Sequence, residues 1–515
     1  MTRPWFSPKA RTRILSLVVI VGISGLITFR HISTQSPLHA LPPVDFTHAP
    51  SHVQDLGHPT FAEIRALERA LPQHIFPTFL TKARPRYLRF SWESWGTGWN
   101  NVFQEQLLNT HLACLSNRGY VFVDYIARDH PPFPDTLPNG TRHMLHIPMN
   151  AFTSGPTGGG PLSANGESVK SAPRAVSKEW WEAICREQEV VEVNVGETNQ
   201  ALGLNGESSG EERLSKWADK LLQLEATCVE IVGGSVFDYL FISSDKVLSM
   251  WTSYGSSPTL KAFAWSALIT RALERNFGLI SSLPPPQALS RHSWPFIPGF
   301  LPSLPFGQSN NSTGDVSSPY PLSSFSPYHT SEPPIPGLLG LHVRRGDYEQ
   351  HCVSLADWGA GYNAWNAFGR PDVRSTARYP PLPDFLAAPG RAAVLPHCWP
   401  ATAQIVERVR AVRAESESGM RFPAQELSAV YISTNGEPGW VAALAEMLRA
   451  DGWETVSTSL DMRLTKEELA VAQAVDMGVL VSAETFIGVG FSSLSSNVAQ
   501  LRLAGGRHPD TIRFW

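Results

Sequence analysis

The tightest constraint on this chain is a strand, a glycine-bearing turn, a helix and a second strand in direct succession. Tyr87-Leu88-Arg89-Phe90 reads as a short strand and residues 91–98 as a turn. Apolar residues at Val102, Phe103, Leu107, Leu108, Leu112 and Leu115 then mark a helix from Asn101. Gly119 stops it, and Tyr120-Val121-Phe122-Val123-Asp124 is the second strand. Such a unit joins parallel neighbours, and a parallel sheet is covered by helices on both faces. The fold class is therefore α/β.

The alternation returns late in the chain. Strands are predicted over 338–343, 429–433 and 485–488, and helices over 438–450 and 494–504. Thr465 and Glu468 form a capping box that opens a further helix running to about Met477. Segments 216–229 and 259–277 read as helical, 360–400 as an elaborated loop, and 32–80 as a polar stem with a short helix over 61–71. Stretches 151–176 and 281–336 are rich in Gly, Pro and Ser, and the second is a linker or long insertion. With 515 residues, enough for two or three domains at ~100–200 residues each, six segments follow. They are a tail (1–13), an uncharged span (14–29), a stem (30–84), an N-terminal α/β domain (85–280), the linker (281–336) and a C-terminal α/β domain (337–515).

The uncharged span is slightly shorter than the ~17–25 residues of a membrane-crossing helix. Arg3, Lys9, Arg11 and Arg13 precede it, which holds the N-terminus in the cytosol. It is read as a signal-anchor, with a cleaved signal peptide and a buried helix as alternatives. The expectation is a single-pass type II membrane protein facing the lumen of the Golgi or endoplasmic reticulum. Asn139, Asn310 and Asn311 each head a glycosylation tripeptide. In an oxidising lumen the five cysteines allow two disulfides, and Cys352 with Cys398 is the preferred pair because they flank one loop-rich segment. No cysteine or histidine spacing suggests a metal site. With 42 Lys+Arg against 46 Asp+Glu, there is no basic excess for nucleic acid.

Three loops between strand and helix carry candidate chemistry, since ligands of open α/β sheets bind beyond the C-terminal strand ends. His342-Val343-Arg344-Arg345-Gly346-Asp347 leaves an apolar strand, and an arginine there can fork onto a diphosphate. A surface ion pair with Asp347 is the alternative. In the second loop, Gly488 to Asn497, serines stand where helix N–H groups attract anions, or where a serine only caps the helix. Gly96-Thr97-Gly98-Trp99-Asn100-Asn101 is the third. It either cradles a phosphate or acceptor hydroxyl, or is plain turn chemistry. Trp92, Trp95 and Trp99 either stack on a ligand or pack in the core. The P-loop spacing of glycine and lysine is absent.

Together these loops resemble the signatures of the fucosyltransferase superfamily that includes the protein O-fucosyltransferases and α1,6-fucosyltransferases. The run 342–347 looks like their arginine motif, and Tyr431-Ile432-Ser433-Thr434-Asn435 like their second strand-loop. Asp476 with Phe486-Ile487-Gly488, Ser492-Ser493 and Ser496-Asn497 is similar to their third motif, and Gly98-Trp99-Asn100-Asn101 to their N-terminal loop. The resemblance implies a GT-B architecture, two Rossmann-like domains facing a cleft. It implies inverting, metal-independent transfer of fucose from GDP-fucose, with no cofactor, to a glycan or protein hydroxyl. Arg344 would hold the β-phosphate and stabilise the leaving GDP, and Ser492 and Ser493 the diphosphate oxygens. His342 and Asp476 would meet the guanosine, and Asn101 the junction with the acceptor. Arg345, Asp347, Ser433, Thr434, Asn435 and Gly488 complete the donor set. Thr97 stands where some relatives carry a glutamate base, leaving Glu93 and Glu105 as weak candidates. An enzyme using another nucleotide sugar, and a catalytically silent glycan- or protein-binding relative, stay open.

Overall fold

Helix α1 (Phe61–Arg69) opens on a capping box made by Thr60 and Glu63, and buries Ile64 and Glu68 against the body of the protein. The computed structural model describes residues 59–75, 85–93, 97–127, 145–163, 172–186, 189–281, 333–368, 390–417 and 426–515. The folded unit thus begins before Arg86. Residues 14–29, Trp95 and the acceptors Asn139, Asn310 and Asn311 lie outside the described residues. No described helix is long and apolar enough to cross a membrane.

In chain order the first strands are β1 (Tyr87–Phe90), β2 (Gly119–Phe122), the antiparallel pair β3 (Tyr125–Ala127) and β4 (Leu145–Ile147), β5 (Val176–Ser177), β6 (Val190–Asn194) and β7 (Cys228–Val232). Five of them form a parallel sheet in the order β5-β2-β1-β7-β6. Helix α2 (Trp99–Leu115) makes the β1-to-β2 crossover, and almost every side chain along it is buried. Helix α3 (Gly210–Leu222), capped by Ser209, precedes β7. Two expectations need correction here. The predicted helix over 216–229 is this helix followed by a strand, because Cys228-Val229-Glu230-Ile231-Val232 is apolar and β-branched enough to pair with β1 in the sheet. The predicted helix over 259–277 breaks into Pro258–Lys261, Ala267–Arg275 and Phe277–Ile280. Between the first two, Phe263 and Trp265 turn into the core beside Thr153, which bridges to Trp265. The glycine-rich stretch after 151 is likewise no exposed insertion where it is described. A Cβ on Gly160 would lie 2.0 Å from the Ser154 carbonyl oxygen, so only glycine lets these turns close in the interior.

The second sheet holds β8 (Ile335–Val343), β9 (Ala429–Thr434), β10 (Thr455–Thr458), β11 (Ala483–Gly488) and β12 (Ile512–Phe514), all parallel, in the order β10-β9-β8-β11-β12. The chain winds from β8 to one edge, returns to β11 and winds to the other, so the reversal falls between β8 and β11. Its helices include α4 (Tyr348–Trp358), α5 (Arg391–Cys398), α6 (Pro438–Ala450), α7 (Ala472–Ser482) and α8 (Ser493–Ala504), with a further one over Thr402–Glu417. The segment expected as loop over 360–400 thus ends in a helix. Beyond the Thr465–Glu468 capping box, a five-residue helix stops at Ala470 and α7 carries on to Ser482, past the expected end at Met477.

Two fully buried arginines close helix ends in the two halves. Arg118 donates to the carbonyls of Leu221, Leu224 and Ala226 at the end of α3. Arg502 donates to those of Leu480, Val481, Ala483, Glu484 and Thr511. The halves meet on an apolar seam where Tyr254 stacks on Trp365 at 5.2 Å, and Arg275 holds the buried Glu468 at 2.6 and 2.8 Å.

Disulfides join Cys352 to Cys398 and Cys185 to Cys228, leaving Cys114 free. The first is the pair expected from the sequence. It closes a loop 46 residues apart in sequence, for which chain entropy gives about 4 kcal/mol. Replacing both cysteines by serine should lower stability in urea unfolding by ~2–4 kcal/mol. A loss below ~1 kcal/mol would show that the bridge adds no constraint to the unfolded chain.

Candidate active site

The reversal between β8 and β11 brings the arginine loop and the serine loop together. At the end of β8, His342 is buried, with Nδ1 2.8 Å from Ser495 Oγ and its carbonyl accepting from Trp515 Nε1 at 2.9 Å. Burial, helped by the charge of Arg344, pushes its pKa down to about 3, so the ring is neutral. Ser495 Oγ also accepts the Val489 N–H at 3.0 Å, which fixes the turn after β11. Ser492 caps α8 by accepting the Leu494 N–H, and Ser493 is the first helical residue. Both serines are half-exposed, whereas Ser495 and Ser496 are buried. The remaining N–H groups of this first turn, with the helix dipole, make an electropositive edge.

Arg344 and Arg345 part company completely. The Arg344 guanidinium lies 5.6 Å from the centre of the Tyr348 ring, and Tyr348 donates to the Phe491 carbonyl at 3.1 Å. It therefore stands beside the serine loop. Its ion pair, at 3.2 Å, is to Asp347, whose side chain is 86% exposed. Such a pair is worth ~0–1 kcal/mol and yields readily to a better anion. Arg345 is buried between Trp399 and Trp440, 4.4 Å from each ring centre, and donates to the Pro400 carbonyl. Expected as a donor ligand, it is instead a clamp. Trp399 and Pro400 arrive with the segment that the Cys352–Cys398 bridge pins to α4, and Trp440 comes from α6.

The other expected donor residues are largely engaged within the protein. Thr434 Oγ1 donates to the Val343 carbonyl at 2.6 Å and accepts the Gly436 N–H, while Asn435 Oδ1 accepts the Arg345 N–H at 2.8 Å. Asp476, on α7, accepts from Tyr431, Ser433 and Ser459. Burial raises its carboxyl to about 6 against those three donors. One lone-pair direction remains on Oδ1 for a ligand. Gly488 has no room for a side chain, since a Cβ there would lie 2.6 Å from the Phe486 ring and 2.7 Å from Ser495 Oγ. These residues shape the loops around Arg344.

Opposite them, the start of α2 reaches the second sheet's helices. Asn100 donates to Gln473 at 2.9 Å, and its carbonyl accepts from Asn497 Nδ2 at 2.8 Å. Asn101 follows, half-buried in the first turn of α2. Trp99 is core, stacked between Phe103 and Phe152 at 4.9 and 4.7 Å, so its ligand-stacking role falls away. Trp92 is 52% exposed. Beyond the C-terminal ends of β1 and β2 opens a cleft of about 690 Å3, lined by Glu93, Thr97, Gly98 and Gln106, with Gln473 contributed from α7. Arg65, Glu68, Asp124 and His146 line it farther along the β2 side, Arg65 holding Asp124 by two hydrogen bonds. Sequence reasoning missed this cleft, the Tyr348 platform and Gln473. Tyr348 alone had a signal, standing directly after Asp347 in the arginine run.

Two parallel sheets, an arginine loop and a serine loop side by side at the strand ends of the second, and a polar cleft at the strand ends of the first define the α/β class of this chain. Neither a protein-family model nor a curated protein matches the chain. Among solved structures it is similar to POFUT1 in complex with GDP, at 13% identity and a TM-score of 0.47, covering 84% of this chain and 99% of that one. It is also similar to POFUT1 in complex with GDP-fucose, at 14% identity and a TM-score of 0.43 over the same shares. A third is an Arabidopsis thaliana FUT1 mutant in complex with GDP, at 8% identity and a TM-score of 0.33, covering 86% and 73%.

Proposed function

We propose that the chain is a GT-B glycosyltransferase that moves fucose from GDP-fucose to a hydroxyl of a glycan or protein, with inversion and without a metal. The observation that carries this reading is Arg344. It is a permanently charged fork, held on Tyr348 beside the Ser492-capped start of α8 and paired only loosely with an exposed aspartate. A diphosphate displaces Asp347, takes both prongs of the guanidinium and lies against the helix N–H groups. As the sugar leaves, charge grows on the β-phosphate, and Arg344 stabilises it in place of a cation. The four family-like motifs in order support GDP-fucose as the donor. The two disulfides support a secretory address, where oxidation persists, and the signal-anchor reading of residues 14–29 belongs to the same proposal.

A thermal-shift panel on the purified full chain tests the donor. GDP, GDP-fucose, GDP-mannose, UDP and UDP-sugars are compared with Arg344→Ala alongside. A ligand at 100 times its dissociation constant adds about 2.7 kcal/mol of stability. The expected result is a guanine-selective shift that the variant loses. A shift confined to another nucleotide would reassign the donor. No shift from a folded chain would favour a silent binding protein.

A further inference from the structure

Consecutive residues at the end of α5 hold the arginine loop from both sides. Trp399 stands at the C-cap of α5, its N–H donating to the Leu395 carbonyl at 2.8 Å. Its ring and the Pro400 carbonyl grip the Arg345 guanidinium. On the other side, His397 Nδ1 lies 2.6 Å from the main-chain oxygen of Trp515. Trp515 donates its indole N–H to the His342 carbonyl and its main-chain N–H to the Gly488 carbonyl at 3.2 Å. Between His397 and Trp399, Cys398 carries the bridge to Cys352 on α4. One tethered turn thus reaches the ends of β8 and β11 together.

The grip on Arg345 fixes the backbone from which Arg344 departs. The peptide joining the two arginines is held at both of its polar atoms. Arg345 Nη1 donates to the Arg344 carbonyl at 3.4 Å, and the Arg345 N–H donates to Asn435 Oδ1 at 2.8 Å. The next residue, Gly346, has φ of +68°, and a Cβ there would lie 2.8 Å from Asn435 Nδ2. Trp440, the other wall of the clamp, is fixed by its own indole N–H, which donates to Thr402 Oγ1 at 3.1 Å. From this held peptide Arg344 reaches the Tyr348 ring beside the serine loop.

Resting on the donor reading above, we propose that Trp399 is a positioning residue for Arg344, acting through Arg345, and that the Cys352–Cys398 bridge keeps it in place. Its part needs no contact with the diphosphate. A tryptophan face attracts a desolvated guanidinium, which an aliphatic side chain does not. Without that face Arg345 turns toward water, the peptide it holds is released, and the Arg344 fork no longer meets two phosphate oxygens at once.

The test compares GDP with GMP, which lacks the β-phosphate, by calorimetric titration of the full chain well below its melting temperature. Trp399→Leu should weaken GDP by ~10-fold or more, the worth of one charge-assisted hydrogen bond, and leave GMP unchanged. Arg344→Ala should show the same pattern. Trp399→Phe keeps a ring face and should bind GDP within ~3-fold of wild type. A control is Trp453, which meets Arg413 at 4.7 Å just before β10, at the opposite end of the parallel sheet. Trp453→Leu should cost stability and leave both nucleotides alone. Replacing Cys352 and Cys398 by serine should repeat the Trp399→Leu pattern, and carries the test should that variant not fold. A Trp399→Leu chain that keeps the wild-type preference for GDP over GMP would overturn the assignment. That holds whether neither nucleotide weakens or both weaken alike, since equal loss marks a merely structural role. If Arg344→Ala loses the preference and Trp399→Leu keeps it, the donor reading stands and this inference falls. A wild-type chain that binds no GDP fails at the donor reading and takes the positioning role with it.

Discussion

Arg344→Lys is expected to keep the wild-type melting temperature and, on the proposed function, to lose at least ~100-fold in turnover of GDP-fucose. The fold is spared because the side chain is already 36% exposed and its one ion pair is to a solvent-facing aspartate, worth at most ~1 kcal/mol. Lysine keeps the charge, and any attraction that depends on charge alone survives. It lacks the planar fork that grips two phosphate oxygens at once, and its ammonium is a compact, strongly hydrated point. On the proposed function the missing contact is the one that strengthens as the β-phosphate gains charge, so the loss is expected in kcat rather than in the binding of GDP. A variant turning over within threefold of wild type would remove Arg344 from the leaving-group role.

Arg502→Met is expected to cost about 3–5 kcal/mol in urea unfolding, the largest stability effect among these predictions, since several buried acceptors at ~1–3 kcal/mol each lose their donor. The guanidinium is buried, and burial lowers its pKa to about 9 although the charge of Glu484 pulls the other way. Its direct hydrogen-bond partners are one hydroxyl and backbone carbonyls. Those of Leu480 and Val481 end α7, those of Ala483 and Glu484 begin β11, and Thr511 offers its carbonyl at 3.3 Å and its hydroxyl at 2.8 Å. Methionine fills much of the volume and leaves these acceptors dry and unpaired. Since β11 delivers the serine loop, GDP binding should weaken along with stability. A loss under ~1 kcal/mol would mean that water replaces the guanidinium.

Elements with a strong local signal are legible in the amino-acid sequence. Helix α6 runs from Pro438 to Ala450 as its apolar side and the closing Asp451-Gly452 require, and the Thr465–Glu468 box forms both of its hydrogen bonds. Expectation and fold diverge where a tertiary partner overrides local preference. Residues 223–229 read as the continuation of α3, yet Cys228 and Val229 open a strand because β1 is there to pair with it. Trp99 looks available from its turn and is core because Phe152 arrives from a distant segment.

The candidate site divides the same way. Local sequence alone determines that an apolar strand ends in two adjacent arginines, and that serines open a helix after another strand. Nothing local separates Arg344 from Arg345, which share charge, size and strand end. Only the tertiary structure does so, because Trp399 and Trp440 come from remote segments to enclose one guanidinium while Tyr348 offers the other a single open face. The cleft beside Glu93 is the same case, since Gln473 in its lining belongs to the other half of the chain. Backbone preference is a property of near neighbours, whereas desolvation and charge environment come from whatever the fold packs around a side chain.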